Sequence, residues 1–386
     1  MEFIPYSHQS INESDVKAVI RVLKSDWLTQ GPCVNDFEKC LCDYTGAKYA
    51  VAVSSGTAAL HLSVLAAGIG SGDEVIVSPL TFLASANCVM YAGAKPVFVD
   101  VRSETANIDP VQIEKNITKN TKAIIAVDYA GHACDWTKIS KIAKSKGLIV
   151  IDDACHALGA SYKSTKIGCG RYADMTVFSF HPVKHITTGE GGAILTNNKQ
   201  LYQKLMMLRT HGVTKDEELM VNKGNGAWHY EMHQLGFNYR LADIQCALGT
   251  SQLKKLDKFV ARRREIAGIY NSEFGNNPYF DLPLEKDGVI SSYHLYPIRL
   301  KDKLKAKRDD IFSKLRDSGL GVQVHYMPVY MHPYYQNNGY SKIKCPKALD
   351  FFLREISLPM FPALTSSQIK QVVKTVRDTF EVLDGK

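Results

Sequence analysis

Seven short apolar runs, most of them separated by helical stretches, confine the first two thirds of this chain to very few folds. The runs are Ala50–Val53, Val75–Val77, Pro96–Val99, Ala123–Val127, Leu148–Ile151, Met175–Phe180 and Ala193–Thr196. Between them, Thr57–Ala67, Leu83–Ala92, Val111–Ile117 and Trp136–Lys146 have helical character. Uninterrupted apolar strands are buried on both faces, and strands alternating with helices predict an α/β unit with a mostly parallel sheet. No clear helix separates the last two runs, so one strand there is expected to be antiparallel. Two helices precede the repeat, one after the cap-like Asn12-Glu13-Ser14 and one ending near Gly46.

The pattern fails from Gly212 to Gly236, a polar, glycine-rich stretch of a length usually found in functional or mobile loops. Beyond it the sequence predicts a long helical region over Leu241–Phe274, a strand in Tyr293–Leu300, a helix over Asp309–Ser318, a strand in Val322–Tyr326 and a helix over Ser366–Leu383. This reads as a smaller α+β domain. The expected division is 1–250 for the large domain and 251–386 for the small one, with the first ~25 residues packing on the small domain or the substrate.

The 386 residues are 45% hydrophobic and 22% charged, which excludes a disordered chain. The net charge of +8 has no single basic block behind it; Arg262-Arg263-Arg264 reads as a solvated helix face. Nucleic acid is therefore not an expected partner, although the field would favour an anionic small molecule. There is no signal-peptide pattern and no run approaching ~18 apolar residues. Nine cysteines follow no disulfide framework. A cytoplasmic location with reduced thiols and no membrane partner is expected.

Ligands of open parallel sheets collect at the carboxyl ends of the strands. After the first run comes SSGTAAL, where small and hydroxyl residues open a helix: a phosphate site in outline, or a plain N-cap. After the second comes SPLTF, with Phe82 able to cover a flat ring or to pack in the core. After the fifth comes DDACH, where Asp152 and Asp153 must point to opposite faces. After the sixth comes SFHPVKHITTGEGG, with Lys184 between two histidines. Metal is not expected. Pro182 interrupts any helix joining His181 to His185, and the loop cluster His229-x-Glu231-x-His233 matches no zinc spacing. A Walker loop would place its glycines before the lysine, and GIGSGD (Gly68–Asp73) follows a helix rather than a strand, so neither phosphate fingerprint applies. One cofactor uses all the parts. Pyridoxal phosphate needs a lysine to hold it covalently, a carboxylate for its ring nitrogen, a phosphate cup and a flat neighbour.

Six segments in order, WLTQG (Trp27–Gly31), VSSGTAAL (Val53–Leu60), IDDACHALG (Ile151–Gly159), FSFHPVKHITTGEGG (Phe178–Gly192), GFNYRLADIQ (Gly236–Gln245) and VHYMPV (Val324–Val329), resemble the DegT/DnrJ family of sugar-nucleotide aminotransferases. The resemblance implies an aspartate aminotransferase-like (type I) large domain with a smaller α+β C-terminal domain. It implies that Lys184 carries the cofactor and moves the proton, and that Asp153, not Asp152, pairs with the ring nitrogen. Gly56, Thr57 and Ala58 would form the phosphate cup, with Ser179 beside it. Phe82 and His156 would lie against the ring. Asn238 would reach the phosphate of a neighbouring subunit, making a homodimer with shared active sites. Tyr6, Trp27, Leu28, Thr29, His325 and Tyr326 would contact the nucleotide sugar. His181 and His185 are expected to pack.

VDYAGH (Val127–His132), FNYRLADIQCALG (Phe237–Gly249) and SQLKKL (Ser251–Leu256) look most like the members that aminate UDP-linked 4-keto-6-deoxy-N-acetyl hexoses for pseudaminic acid biosynthesis. L-Glutamate would be the amino donor and surface glycan or flagellin glycosylation the destination. Members acting on UDP-4-keto-L-arabinose or making GDP-perosamine share most of these motifs. The family's sugar dehydratases typically carry histidine at the lysine position, which Lys184 argues against. A non-enzymatic DNA-binding regulator would need a helix-turn-helix that the sequence lacks.

Overall fold

In the computed structural model, which describes residues 3–222 and 226–382, the seven apolar runs form one sheet. Its strands are β1 (Tyr49–Val53), β2 (Glu74–Val77), β3 (Lys95–Phe98), β4 (Thr121–Val127), β5 (Ile149–Asp153), β6 (Met175–Ser179) and β7 (Gly192–Thr196), in the order β1-β7-β6-β5-β4-β2-β3. Strands β2 to β6 pair in parallel, and β7 runs antiparallel to both β1 and β6. Residues 180–191 contain no helix. A parallel return needs a long crossover, so without one the chain reverses beside β6.

Helices cover both faces: α1 (Glu13–Leu23), α2 (Pro32–Thr45), α3 (Gly56–Ala66), α4 (Ala84–Tyr91), α5 (Pro110–Lys115), α6 (Trp136–Lys146) and α7 (Lys199–Arg209). Helix α3 is buried on nearly every side, which suits its mostly apolar sequence, and it packs against α4, α7 and β7. Asn12 caps α1 with a reciprocal bond to Asp15, and Gly46 ends α2 in the left-handed conformation.

The region read as one long helix is two, α8 (Asp243–Leu253) and α9 (Leu256–Phe274). Neither glycine nor proline marks the break. Lys255 at the junction is instead drawn into an ion pair with the buried Asp15, which also accepts from Ser251 Oγ at 2.7 Å and Gln252 Nε2 at 2.8 Å. A second sheet, β8 (Phe280–Asp281), β9 (Tyr296–Leu300) and β10 (Glu355–Leu358), is antiparallel throughout. It shares an apolar core with α9, α10 (Arg308–Asp317) and the helix Ser366–Glu381. The N-terminal segment joins this layer: Ile4 bridges to Leu320, and Met360 N–H donates to Tyr6 O at 2.9 Å.

Two expected strands are shorter. In Tyr293–Leu300 only the part from Tyr296 pairs, because Tyr293 adopts φ 46° and the carbonyls of Tyr293 and His294 accept from Arg263 Nη1. Val322–Tyr326 makes a single bridge, Gln323 to Ser357. The amides that follow leave the ladder: Val324 N–H donates to Gln323 Oε1 and His325 N–H to Glu355 Oε2, a glutamate side chain instead of a strand carbonyl. The 212–236 stretch holds one two-residue ladder, Val213–Thr214 against Glu231–Met232; residues 223–225 lie outside the described part. Among the described residues no helix is long and apolar enough to cross a membrane.

Candidate active site

A cavity of about 510 Å³ opens at the carboxyl ends of the parallel strands. The segment after each of five strands contributes to it: Ser55, Gly56 and Thr57 after β1; Thr81, Phe82 and Ser85 after β2; Val127 of β4; Asp153, Cys155 and His156 from β5; Ser179, His181, Val183 and Lys184 from β6. Tyr6, His325 and Tyr326 close it from the other side.

At one end α3 points its first turn at the cavity. Ser55 is its N-cap and accepts from Ala58 N–H at 3.0 Å. The amides of Gly56 and Thr57 have no intrahelical acceptor, so with the helix dipole they offer a seat for an anion. The seat is narrow. A Cβ on Gly56 would stand 2.9 Å from Ser179 Cβ, and one on Gly192 would stand 2.5 Å from Ser55 O and 2.7 Å from Gly56 N. β7 thus presses directly on the first turn of α3. Gly192→Ala is expected to destabilise the protein by about 1–3 kcal/mol, the usual cost of overpacking against backbone. Urea unfolding of the variant beside the wild type measures it.

At the centre, Asp153 is 4% exposed. Its Oδ2 accepts from Ser85 Oγ at 2.5 Å and its Oδ1 from Cys155 N–H at 3.3 Å. Asp152 points to the other face of the sheet, where Thr176 Oγ1 donates to it at 3.4 Å; burial, and then the charges of Asp128 and Asp153, push its carboxyl well up. Lys184 reaches the same space. Burial lowers its ammonium, and Cys155 and Asp153 partly oppose this. His156 Nε2 lies 3.1 Å from the Tyr326 hydroxyl. Burial, then the Lys184 charge, holds His156 well below the usual histidine range, and burial raises Tyr326, so the neutral phenol donates to a neutral imidazole. His156 Nδ1 is buried with no partner among the described residues.

The structure thus brings together Lys184, Asp153, Gly56, Thr57, Phe82, His156, Ser179, Tyr6, His325 and Tyr326. Ala58 is the third residue of α3, its amide spent on Ser55. Trp27, Leu28, Thr29 and Asn238 do not line this cavity. They form a neighbouring ribbon in which Thr29 bridges to Ala242, Leu28 O accepts from Asp243 N–H at 3.1 Å, and Asn238 bridges to Thr210. Trp27 and Leu28 are 57% and 49% exposed. His185 is buried, its ring 5.4 Å from that of His294, as packing requires. His181 is exposed at the cavity rim and departs from the packing expected of it.

The loop histidines serve a clamp. Glu231 lies 3.4 Å from His229 Nε2 and 3.0 Å from His233 Nε2 and accepts from the amides of Val221 and Asn222, which pull its carboxyl down to about 2. Sequence reasoning missed Ser85, Thr81, Ser55, Cys155 and Glu190 as cavity residues. Ser85 was findable, since it follows the same strand end as Phe82; its partner Asp153 lies 68 positions away.

This set fits a flat, phosphorylated, nitrogen-containing group: a helix N-terminus for the phosphate, an exposed aromatic ring for one face, a carboxylate fixed by a serine for a ring nitrogen, and an amine within the same space. Solved proteins have the same shape. PseC from Helicobacter pylori, an aminotransferase involved in the biosynthesis of pseudoaminic acid, superposes with a TM-score of 0.92 at 37% identity, covering 99% of this chain and 100% of that one. Streptococcus pneumoniae Spr1654 does so in its PMP form at 0.92 (100% of both chains) and in its PLP form at 0.91 (98% and 99%), each at 32% identity. The UDP-4-amino-4,6-dideoxy-N-acetyl-beta-L-altrosamine transaminase of Campylobacter jejuni is 42% identical over 384 residues, 99% of this chain and 98% of the relative. Residues 9–377 match a single family description, and with the cavity described above they establish that the chain belongs to the DegT/DnrJ/EryC1/StrS aminotransferase family.

Proposed function

We propose that this protein uses pyridoxal phosphate to transfer the amino group of L-glutamate to C4 of a UDP-linked 4-keto-6-deoxy-N-acetyl hexose, releasing 2-oxoglutarate, in pseudaminic acid biosynthesis. The observation that carries this reading is the convergence of Lys184, Asp153 and the α3 N-terminus in one cavity, each from a different strand end. When bound, the cofactor supplies an electron-withdrawing ring that stabilises negative charge at the carbon losing its proton. Asp153 keeps a proton on the ring nitrogen, and Ser85 holds its carboxylate in place. The amides of Gly56 and Thr57 and the hydroxyls of Thr57 and Ser179 would bind the phosphate, with Ala58 completing the first turn of α3. Phe82 would cover the ring, and His156, bonded to Tyr326, would lie against it.

Lys184 would hold the cofactor covalently and, as a free amine, would take up and return the proton of the amino donor's α-carbon. Its lowered ammonium makes the free amine available as that base. Tyr6, His325 and Tyr326 face the sugar nucleotide. Trp27, Leu28, Thr29 and Asn238 lie outside their own chain's cavity, which supports their service to a second subunit: Asn238 at the phosphate, the others at the nucleotide, in a homodimer. All nine cysteines are free, which suits a reducing cytoplasm.

The test is spectroscopic. Purified yellow protein bleaches with L-glutamate and is then offered UDP-, GDP- and dTDP-linked 4-keto sugars. A UDP-linked 4-keto-6-deoxy-N-acetyl hexose is expected to restore the colour fastest; faster recovery with a GDP- or dTDP-sugar overturns the assignment of substrate.

A further inference from the structure

Behind His325 lies a buried relay that ends in a carboxyl group. His325 Nδ1 is 2.9 Å from Ser357 Oγ, and Ser357 Oγ is 2.5 Å from Glu355 Oε1. The other carboxyl oxygen, Glu355 Oε2, accepts from the His325 backbone N–H at 2.7 Å. Glu355 and Ser357 are wholly buried on β10, whereas His325 lines the cavity. With Nδ1 committed to Ser357, Nε2 is the nitrogen left for a ligand.

The hydroxyl can donate only once, so the protonation of Glu355 fixes the tautomer of His325. A carboxylate at Glu355 only accepts. Ser357 must then donate to it and accept from His325 Nδ1–H, leaving Nε2 bare. A protonated Glu355 donates to Ser357 instead. Ser357 then donates to Nδ1, and the ring hydrogen moves to Nε2.

We infer that Glu355 and Ser357 are positioning residues that set the face His325 turns to the sugar nucleotide, Nε2–H donor when Glu355 is protonated and Nε2 acceptor when it is ionised. This role rests on the reading that the cavity binds a sugar nucleotide. The donor form recognises an acceptor oxygen of that substrate.

The surroundings decide which form prevails. Burial pushes the Glu355 carboxyl up to about 8, with the bonds from Ser357 and the His325 amide, and then Arg308, holding it back. Among the described residues no cation pairs with it. Arg308 of α10 acts only at a distance, and Arg299, registered opposite on β9, gives its guanidinium to Asp281 and Ser103 O. Tyr129, which donates to His325 O at 2.5 Å, and Tyr326 face the same space as neutral phenols, both raised by burial. His325 itself is pushed down to about 3 by burial and the Lys184 charge, so it stays neutral and the tautomer is its only freedom. The donor form holds at pH 7 and gives way above about pH 8.

Long-range 15N–1H spectra of the histidine-labelled, cofactor-loaded protein without substrate test this directly, with the His325 signals identified by their loss in His325→Gln. The hydrogen is expected on Nε2 at pH 6.5 and on Nδ1 at pH 9.5, with a midpoint near pH 8. Glu355→Gln, whose amide donates to Ser357 and whose oxygen still accepts from the His325 amide, is expected to keep it on Nε2 throughout. A single tautomer in the wild type over that range, or a switch that persists in Glu355→Gln, overturns the inference. If Glu355→Gln fails to fold, the wild-type titration alone decides. In turnover, KM for the sugar nucleotide is expected to rise about 3- to 10-fold from pH 7 to 9.5 in the wild type only, the worth of one neutral hydrogen bond. A tautomer switch with no KM change would leave the relay standing and count against the sugar-nucleotide reading.

Discussion

Replacing Lys184 with alanine is expected to lower kcat by a factor of about 10⁴ or more, since proton transfer alone is typically worth ~10²–10⁴ and the proposed role of this lysine includes holding the cofactor. Among the described residues Lys184 is the one lysine or arginine lining the cavity, and its neighbours His156 and His325 are held neutral by burial. The cup made by α3 does not involve Lys184, so the variant is expected to bind pyridoxal phosphate reversibly. Borohydride reduction followed by peptide mapping separates the two roles. The wild type retains the cofactor's mass on the peptide that contains Lys184, and the variant loses it on dialysis. Turnover at the wild-type rate in Lys184→Ala would show that another residue does this work.

The second large effect is expected at Asp153. Asparagine keeps the size, and its one oxygen can still accept from Ser85 or from the Cys155 amide, but it offers no negative charge to hold a proton on the ring nitrogen. A fall in kcat of about 10²–10⁴ is expected, with cofactor affinity changed far less because the phosphate cup is untouched. Asp152→Asn is the matched control. Asp152 faces away from the cavity with its carboxyl well raised, so a change there tests burial, not chemistry. Equal losses in the two variants would remove the reason for assigning the charge to Asp153.

The sheet was legible because strands buried on both faces leave continuous apolar runs, and all seven are present. Even the reversed strand could be read, from the missing helix between Ser179 and Gly192. The small domain was harder. Its strands end where side chains take over the backbone: Arg263 claims the carbonyls of Tyr293 and His294, and Glu355 claims the amide of His325. No local pattern encodes such long-range bonds. The break between α8 and α9 was hidden for the same reason, since its partner Asp15 lies near the other end of the chain.

The cavity followed the same division. Residues at strand ends, from Gly56 to Lys184, were legible because parallel sheets gather their ligands there. Residues that act on those residues were not. Ser85 bonds Asp153 from 68 positions away, and Ser357 and its strand neighbour Glu355 meet His325 across 32 and 30 positions, pairings made only by the fold; Tyr326 was named for the sugar nucleotide, but its bond to His156 was not legible. The ribbon carrying Trp27, Leu28, Thr29 and Asn238 is legible as motif but leads away from its own chain's cavity, a placement that a second subunit would explain.

Amino transfer itself is tested most directly by isotope. The cofactor-loaded protein is given L-glutamate labelled with 15N and a UDP-linked 4-keto-6-deoxy-N-acetyl hexose, and the sugar product is read by mass spectrometry and NMR. The account predicts 15N bonded to C4 of the sugar, formed in equal amount with 2-oxoglutarate and absent with Lys184→Ala. A sugar that loses oxygen without gaining nitrogen, or label that appears only as free ammonium, would contradict it.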